Sequence, residues 1–281
     1  MKDSKILGKE TKDEKNRRLV KELYEKYPYP NRGFKTRKEA ISYVEWVSKI
    51  FNKKTDFWKN KNVLELGCGS GELAVGLSLV GAKVKAIDLS SSSIKKAQEL
   101  SKKLNTQNVE FFQEDIFLLD NKKNEEQEKS KEFERNEEYD VVIALGSLHH
   151  TVNAKKAFLI GVKKLKKEGL IIIGLYNKYS RFRHRVKRVI LRVLCGENIE
   201  KRISTGEKLF GGNKSKSWLA DKYGQVHESY HSINEIKKWF SEQNIEFISS
   251  KPKCDTPILD EIFWLLTKKN AFFVMVGKKT K

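Results

Sequence analysis

The stretch Val63-Leu64-Glu65-Leu66-Gly67-Cys68-Gly69-Ser70-Gly71 sets an apolar run against three glycines at alternate positions. Residues 62–66 read as a short buried strand, 67–71 as the turn that ends it, and 72–79 as a helix. Glycines at 67, 69 and 71 strip side chains from the turn. A ligand can then approach the backbone closely, and the next helix presents unpaired N–H groups to it. A second strand, Lys83–Asp88, ends in a carboxylate 17 residues after the last glycine (88 − 71). A carboxylate so placed can accept from both hydroxyls of a ribose. The alternative is a tight strand-to-helix turn with no ligand, for which three glycines carry needless entropy.

Outward from this unit the alternation continues. Serines open a helix over 90–104, and 109–113 reads as a third strand. Residues 120–138 are almost wholly polar and read as a solvated surface insertion. Tyr139–Leu145 (YDVVIAL) is a fourth strand, 154–165 a helix, 166–169 a turn and 170–176 a fifth strand. Such alternation predicts right-handed crossovers and a parallel sheet covered on both faces. Residues 232–243 resume a helix, Ser232 and Glu235 having the spacing of a capping box. Residues 245–250 and 271–277 are candidate closing strands with a short helix, 257–266, between them.

Glycines spaced GxGxG after Glu65, with Asp88 ending the next strand, resemble the first motif of class I S-adenosylmethionine (SAM)-dependent methyltransferases. The likeness runs through residues 62–176. A nicotinamide-dependent enzyme would space its third glycine one residue further, as GxGxxG. The resemblance implies a doubly wound α/β fold, with a seven-stranded, mostly parallel sheet whose last strand is reversed. It implies SAM lying over the carboxyl ends of the strands. Glu65 would face the methionine amino end. Gly67, Cys68, Gly69 and Gly71 would line the methionine and ribose. Asp88 would hold the ribose hydroxyls, with Leu89 against the adenine. Asp115 would accept from the adenine amino group and Ile116 pack near the ring, while Ala144 and Leu145, with Gly146, would border the reacting methyl. Before the fifth strand the family often has two glycines, and Glu168 replaces the first.

Candidates for the chemistry lie around this core. His149 and His150 follow the fourth strand in a Leu-His-His segment similar to that of many small-molecule members. An imidazole there could serve as general base, or could simply pack against the sheet edge. The Tyr27-Pro28-Tyr29-Pro30 segment resembles one that precedes the core in a methyltransferase subset, and Tyr27 and Tyr29 are candidate acceptor contacts. Tyr176, His227 and Tyr230, with His231, are further candidates for the acceptor pocket.

The organisation expected is a tail and helical lid over 1–55, a SAM-binding core over 56–177, a basic insertion or lid over 178–231 and the rest of the core over 232–281. Residues 1–18 read as a charged, frayed tail. Residues 36–51 carry a helical face at Ile41, Val44, Val47 and Ile50. Residues 178–192 (KYSRFRHRVKRVILR) predict a helix with one apolar and one cationic face. That helix could be a lid with its apolar face on the core, could touch RNA phosphates, or could lie on an anionic membrane.

Composition bounds the partners. The chain has 281 residues, 57 Lys and Arg against 37 Asp and Glu, and a net charge of +20. Such charge fits a polyanionic partner, and equally a lysine-rich composition with no binding role. Cys68, Cys195 and Cys254 show no metal-ligand spacing, so no metal is expected, and a reduced compartment is the default. With no apolar run of signal-peptide or membrane-spanning kind, a cytoplasmic protein is expected. Three classes follow: a methyltransferase acting on a small-molecule or lipid-like acceptor, an RNA methyltransferase, or a SAM-binding protein without turnover. The His149-His150 loop and the intrachain lid favour the first; the charge favours the second, against which no RNA-binding module or Asn-Pro-Pro-Tyr tetrapeptide is found. Oligomeric state is left open.

Overall fold

The computed structural model describes residues 10–29, 33–120, 133, 136–211, 214–267 and 269–281. Seven strands form one sheet: β1 Asn62–Leu66, β2 Lys83–Asp88, β3 Val109–Gln113, β4 Tyr139–Leu145, β5 Leu165–Tyr176, β6 Ile245–Lys251 and β7 Phe272–Lys279. Their order is β3-β2-β1-β4-β5-β7-β6, and only the pairings of β7 are antiparallel. The chain winds outward from β1 through β2 to β3, then returns to β4 on β1's other side. This reversal leaves a crevice above the carboxyl ends of β1 and β4, the place where doubly wound sheets bind ligands.

Helices cover the sheet: α1 Lys12–Lys26, α2 Arg37–Lys49, α3 Glu72–Leu79, α4 Ser91–Lys103, α5 Ala154–Lys163, α6 Phe182–Cys195, α7 Ile199–Phe210, α8 Lys216–Leu219, α9 Ile233–Glu242 and α10 Pro257–Thr267. One core face holds Leu64, Leu66, Phe158, Ile173 and Phe240; the other holds Val44, Val63, Ile143, Ile172 and Val276. Adjacent residues of β1 and β5 thus serve opposite layers, as the two-residue period of a strand requires. The strands are apolar on both sides because both sides are covered.

Three expectations need correction. The 1–18 segment is not all tail. The helix α1 begins at Lys12, and Thr11 and Glu14 form a reciprocal capping box that satisfies its first N–H groups.

The fifth strand begins at Leu165 rather than at residue 170. Tyr139 pairs with Leu165 and Val141 with Leu170, so the residues between bulge out of register. Glu168 sits in this bulge at φ +64°, a left-handed conformation in which a glycine would be unstrained. Its carboxylate pairs with Lys278.

The basic helix α6 spans Phe182–Cys195 and is turned opposite to the lid expectation. Arg188 and Leu191 are buried, whereas Phe182, Val186, Val189 and Val193 are exposed. The buried arginine is held by a polar cluster described below. Residues 196–231 also contain α7, α8 and a π-helical turn over Ala220–Gly224, packed around Leu191, Ile203 and Tyr223. The polar insertion at 120–138 lies mostly outside the described residues, as do Pro30 and Asn31.

Candidate functional site

A cavity of about 440 Å³ opens in the crevice above β1 and β4. Its floor is the glycine turn. Gly67, Gly69 and Gly71 adopt φ of +75°, +54° and +78°. At two of them packing also forbids a side chain. A Cβ on Gly67 would lie 2.3 Å from the Ser147 Cβ, and one on Gly71 would lie 2.6 Å from the Ala97 Cβ. Gly67, Cys68 and Gly69 line the cavity, whereas Gly71 lies behind it and starts α3.

Asp88 terminates β2 at the cavity wall. Its Oδ2 accepts from the Gly69 N–H at 2.9 Å and its Oδ1 from the Ser90 N–H at 2.9 Å. Burial raises this carboxyl above its ordinary range, while the two N–H groups oppose the rise. Glu65 on β1 also lines the cavity, and its Oε2 is buried without a hydrogen-bond partner. Burial, reinforced by the Glu72 charge, pushes this carboxyl up to about 8. An orphaned acidic oxygen beside a side-chain-free turn fits a ligand with a cationic group and a ribose, as SAM has.

Leu89, Asp115, Ile116 and Leu145 border the same space, with Gly146. Asp115 is already engaged: its Oδ1 accepts from the Phe117 N–H at 2.9 Å, and its Oδ2 meets Arg17 of α1 at 3.3 Å. Ala144 is buried within the sheet and does not line the cavity.

The rest of the wall is aromatic. Tyr24 comes from α1, Tyr29 from the segment after it, Tyr43 and Trp46 from α2, Tyr176 from the end of β5 and Phe272 from the start of β7. Tyr27 is turned away, its hydroxyl donating to Glu200 at 2.9 Å.

The two histidines divide. His150 lines the cavity; His149 lies behind it, fully buried between the rings of Tyr176 (3.9 Å) and His150 (4.2 Å), with neither nitrogen bonded. Burial holds both below the usual imidazole range, His149 far below. His150 is lifted partway back by Asp221, whose Oδ1 lies 4.0 Å from its Nε2. Asp221 in turn accepts from the Tyr24 hydroxyl (3.1 Å) and the Gln225 amide (3.1 Å), and Gln225 also donates to Tyr24 at 2.6 Å.

His227 and Tyr230 do not border the cavity. Between them Glu228, with a fully buried side chain, receives Arg181 and Arg188, each at 2.8 Å. Burial alone would raise this carboxyl, but the two guanidiniums outweigh it and hold it down at about 2. Arg181 stacks 3.5 Å from the Tyr176 ring centroid, so this ionic cluster anchors the insertion to the cavity wall. Replacing Glu228 by Ala is expected to lower unfolding stability by about 3–5 kcal/mol, since two arginines would be left uncompensated. Urea denaturation followed by circular dichroism checks it. With the folded pKa depressed, this contribution is complete above the ordinary carboxyl pKa of 4.5 and fades as pH falls towards 2.

Some cavity residues escaped the sequence reading. Arg17 falls in the segment read as tail, although the Thr11–Glu14 capping pair marks a helix start before it, and Tyr24 lies further along the same helix. Tyr43 and Trp46 flank the apolar stripe that was read, at Val44 and Val47. Asp221, which lies outside the cavity against His150, carries no local signal, because a polar insertion delivers it.

A methyltransferase-domain family profile matches residues 58–244. Among curated proteins, a ubiquinone biosynthesis O-methyltransferase of Rickettsia bellii is 29% identical over 156 residues, covering 56% of this chain and 55% of that protein. This chain thus spans about half the length of that relative. The Rickettsia felis protein of the same name is 30% identical over 242 residues, covering 85% of this chain and 82% of its own. Among solved structures, magnesium protoporphyrin IX methyltransferase from Synechocystis PCC 6803, crystallised with bound SAH, has a TM-score of 0.54 at 15% identity. That match covers 94% of this chain and 99% of the other.

Proposed function

Because the chain belongs to the methyltransferase-domain family, we propose that it moves the methyl group of S-adenosylmethionine onto a hydroxyl oxygen of a small aromatic or lipid-like acceptor. The observation that carries this reading is the make-up of the cavity wall. The glycine turn with Glu65 and Asp88 lines the cavity together with Tyr24, Tyr29, Tyr176 and Phe272, and His150 alone of the two paired histidines lines it. The name shared by the Rickettsia relatives, an O-methyltransferase of ubiquinone biosynthesis, supports an acceptor of this kind.

The bound donor supplies an electrophilic methyl on a positively charged sulfur. Gly67, Cys68 and Gly69 leave room for its methionine and ribose, Asp88 takes the ribose hydroxyls, and Leu89, Asp115 and Ile116 receive the adenine. Tyr24, Tyr29, Tyr176 and Phe272 hold the acceptor ring and keep water out. His150, neutral at pH 7, takes the acceptor's hydroxyl proton as oxygen bonds to the methyl; the carbon–sulfur pair stays with sulfur. Asp221 faces Nε2 and stabilises the imidazolium so formed.

Glu65 makes the donor site proton-linked. Unliganded, it is protonated at pH 7; beside the donor's ammonium group it ionises. Binding at pH 7 should therefore release close to one proton, visible as a buffer-dependent binding enthalpy in calorimetry. Glu65→Gln should abolish that dependence. Equal enthalpies in buffers of different ionisation heat would remove Glu65 from the site.

The function itself is tested by incubating the protein with tritiated SAM and cell extract, then separating RNA, protein, lipid and small molecules. Label is expected in the lipid or small-molecule fraction and on an oxygen. Label confined to RNA would establish the RNA methyltransferase reading, which the +20 charge favours.

A further inference from the structure

The helices α6 and α10 are both packed inside out. In α6, Arg188 is only 7% exposed, while Phe182, Val186, Val189 and Val193 form a stripe open to solvent, with Val193 80% exposed. Their spacing of 4, 3 and 4 residues puts them on one side of the helix. In α10, Glu261 is 2% exposed, its Oε1 accepting from the Asn177 side chain at 2.6 Å and the Ile233 N–H at 3.0 Å. Ile258, Leu259, Ile262 and Leu266 face outward, and Leu266 is 72% exposed. Of the sixteen large hydrophobic residues exposed among those described, eleven belong to these two helices. A helix that buries a charged residue and leaves most of its large apolar side chains open to solvent is positioned for something beyond its own core.

Both helices stand at the carboxyl edge of the sheet, where the cavity opens. Phe182 starts α6 six residues after Tyr176, and Thr267 ends α10 five residues before Phe272; both aromatics line the cavity. The charge on α6 selects the occupant. Besides the buried, paired Arg188 the helix carries Arg183, Arg185, Lys187 and Arg192 and no acidic residue. A second copy would bring the same cations against themselves, whereas anionic headgroups complement them. At 14 residues α6 is about 21 Å long, a length suited to lying in the headgroup layer. Among the described residues, no helix is long and apolar enough to cross a membrane.

We infer that the exposed faces of α6 and α10 dock the protein on an anionic bilayer, with the cavity mouth turned towards the lipid. This goes beyond methyl transfer and is read without it. The test is flotation of the full chain with vesicles of phosphatidylcholine alone or mixed with phosphatidylglycerol, without donor or acceptor. Partition should rise with phosphatidylglycerol and fall as salt is added. Val189→Asp/Val193→Asp should lower it roughly tenfold or more, and Leu259→Ser/Leu266→Ser should also weaken it. These side chains are exposed, so the variants should keep the parent's circular dichroism and SAM affinity. No partition, or equal partition onto both vesicle types, would overturn the proposal. A dimer in sedimentation velocity that Val189→Asp/Val193→Asp dissolves, without vesicle binding, would give the face to a second copy. Retention of tRNA that Arg183→Glu/Arg185→Glu abolishes, again without vesicle binding, would give its cations to RNA. Either result overturns the bilayer assignment.

Discussion

Asp88→Ala is expected to weaken binding of SAM and of its demethylated product by about 100-fold or more. Each ribose hydroxyl would lose a bond to an ionised acceptor, worth roughly 1.5–3 kcal/mol, and two such losses compound to that range. The carboxylate also receives the Gly69 and Ser90 N–H groups, so its removal loosens the glycine turn as well. Asp88→Asn separates the effects: it keeps an acceptor for one N–H but loses the charge, and should fall between wild type and alanine. Isothermal calorimetry on protein with an unaltered melting profile is the measurement. Wild-type affinity in Asp88→Ala would take the ribose away from β2.

His150→Ala should lower kcat by about 10²–10⁴, the usual range for a positioned general base, with little change in donor affinity. The pH profile carries the finer test. The active form is the neutral imidazole, and burial holds the His150 pKa below 6.5. Turnover should therefore rise with pH and level off before ordinary imidazole titration is complete. Asp221 raises that pKa, so Asp221→Asn should move the acid limb to still lower pH while reducing the plateau about tenfold. A limb that stays put in Asp221→Asn would separate the two residues functionally. An acceptor methylated at full rate by His150→Ala would show that the oxygen arrives already deprotonated.

The fold and the donor half were legible because their signals are local. The five core strands stand out by apolar runs bounded by turns, and the 17-residue step from Gly71 to Asp88 carries the ligand geometry within one crossover. The bulge at Glu168 was hidden because an acidic residue occupies the left-handed position where a glycine would have announced it. The acceptor half was less legible for a different reason. Tyr24, Trp46, Asp221 and Phe272 come from four distant places, and no spacing rule links them. The periodicity of α6 was legible, but which way its apolar face turns was left open between the core, RNA and a membrane. Apolar stripes usually face the core, and only the tertiary pairing of Arg181 and Arg188 with Glu228 overrides that default.

The sheet's reversal between β1 and β4 separates two inheritances within one crevice. The residues proposed to hold the nucleoside come mainly from one stretch ending near Ile116, where packing bars side chains at Gly67 and Gly71. The aromatic wall is assembled from α1, the segment after it, α2, the tip of β5 and the entry to β7, and α1 also touches that stretch through Arg17 on Asp115. On the proposed reading, changes at Tyr24, which bonds Asp221 beside His150, would alter the acceptor side while leaving Gly67 and Asp88 in place.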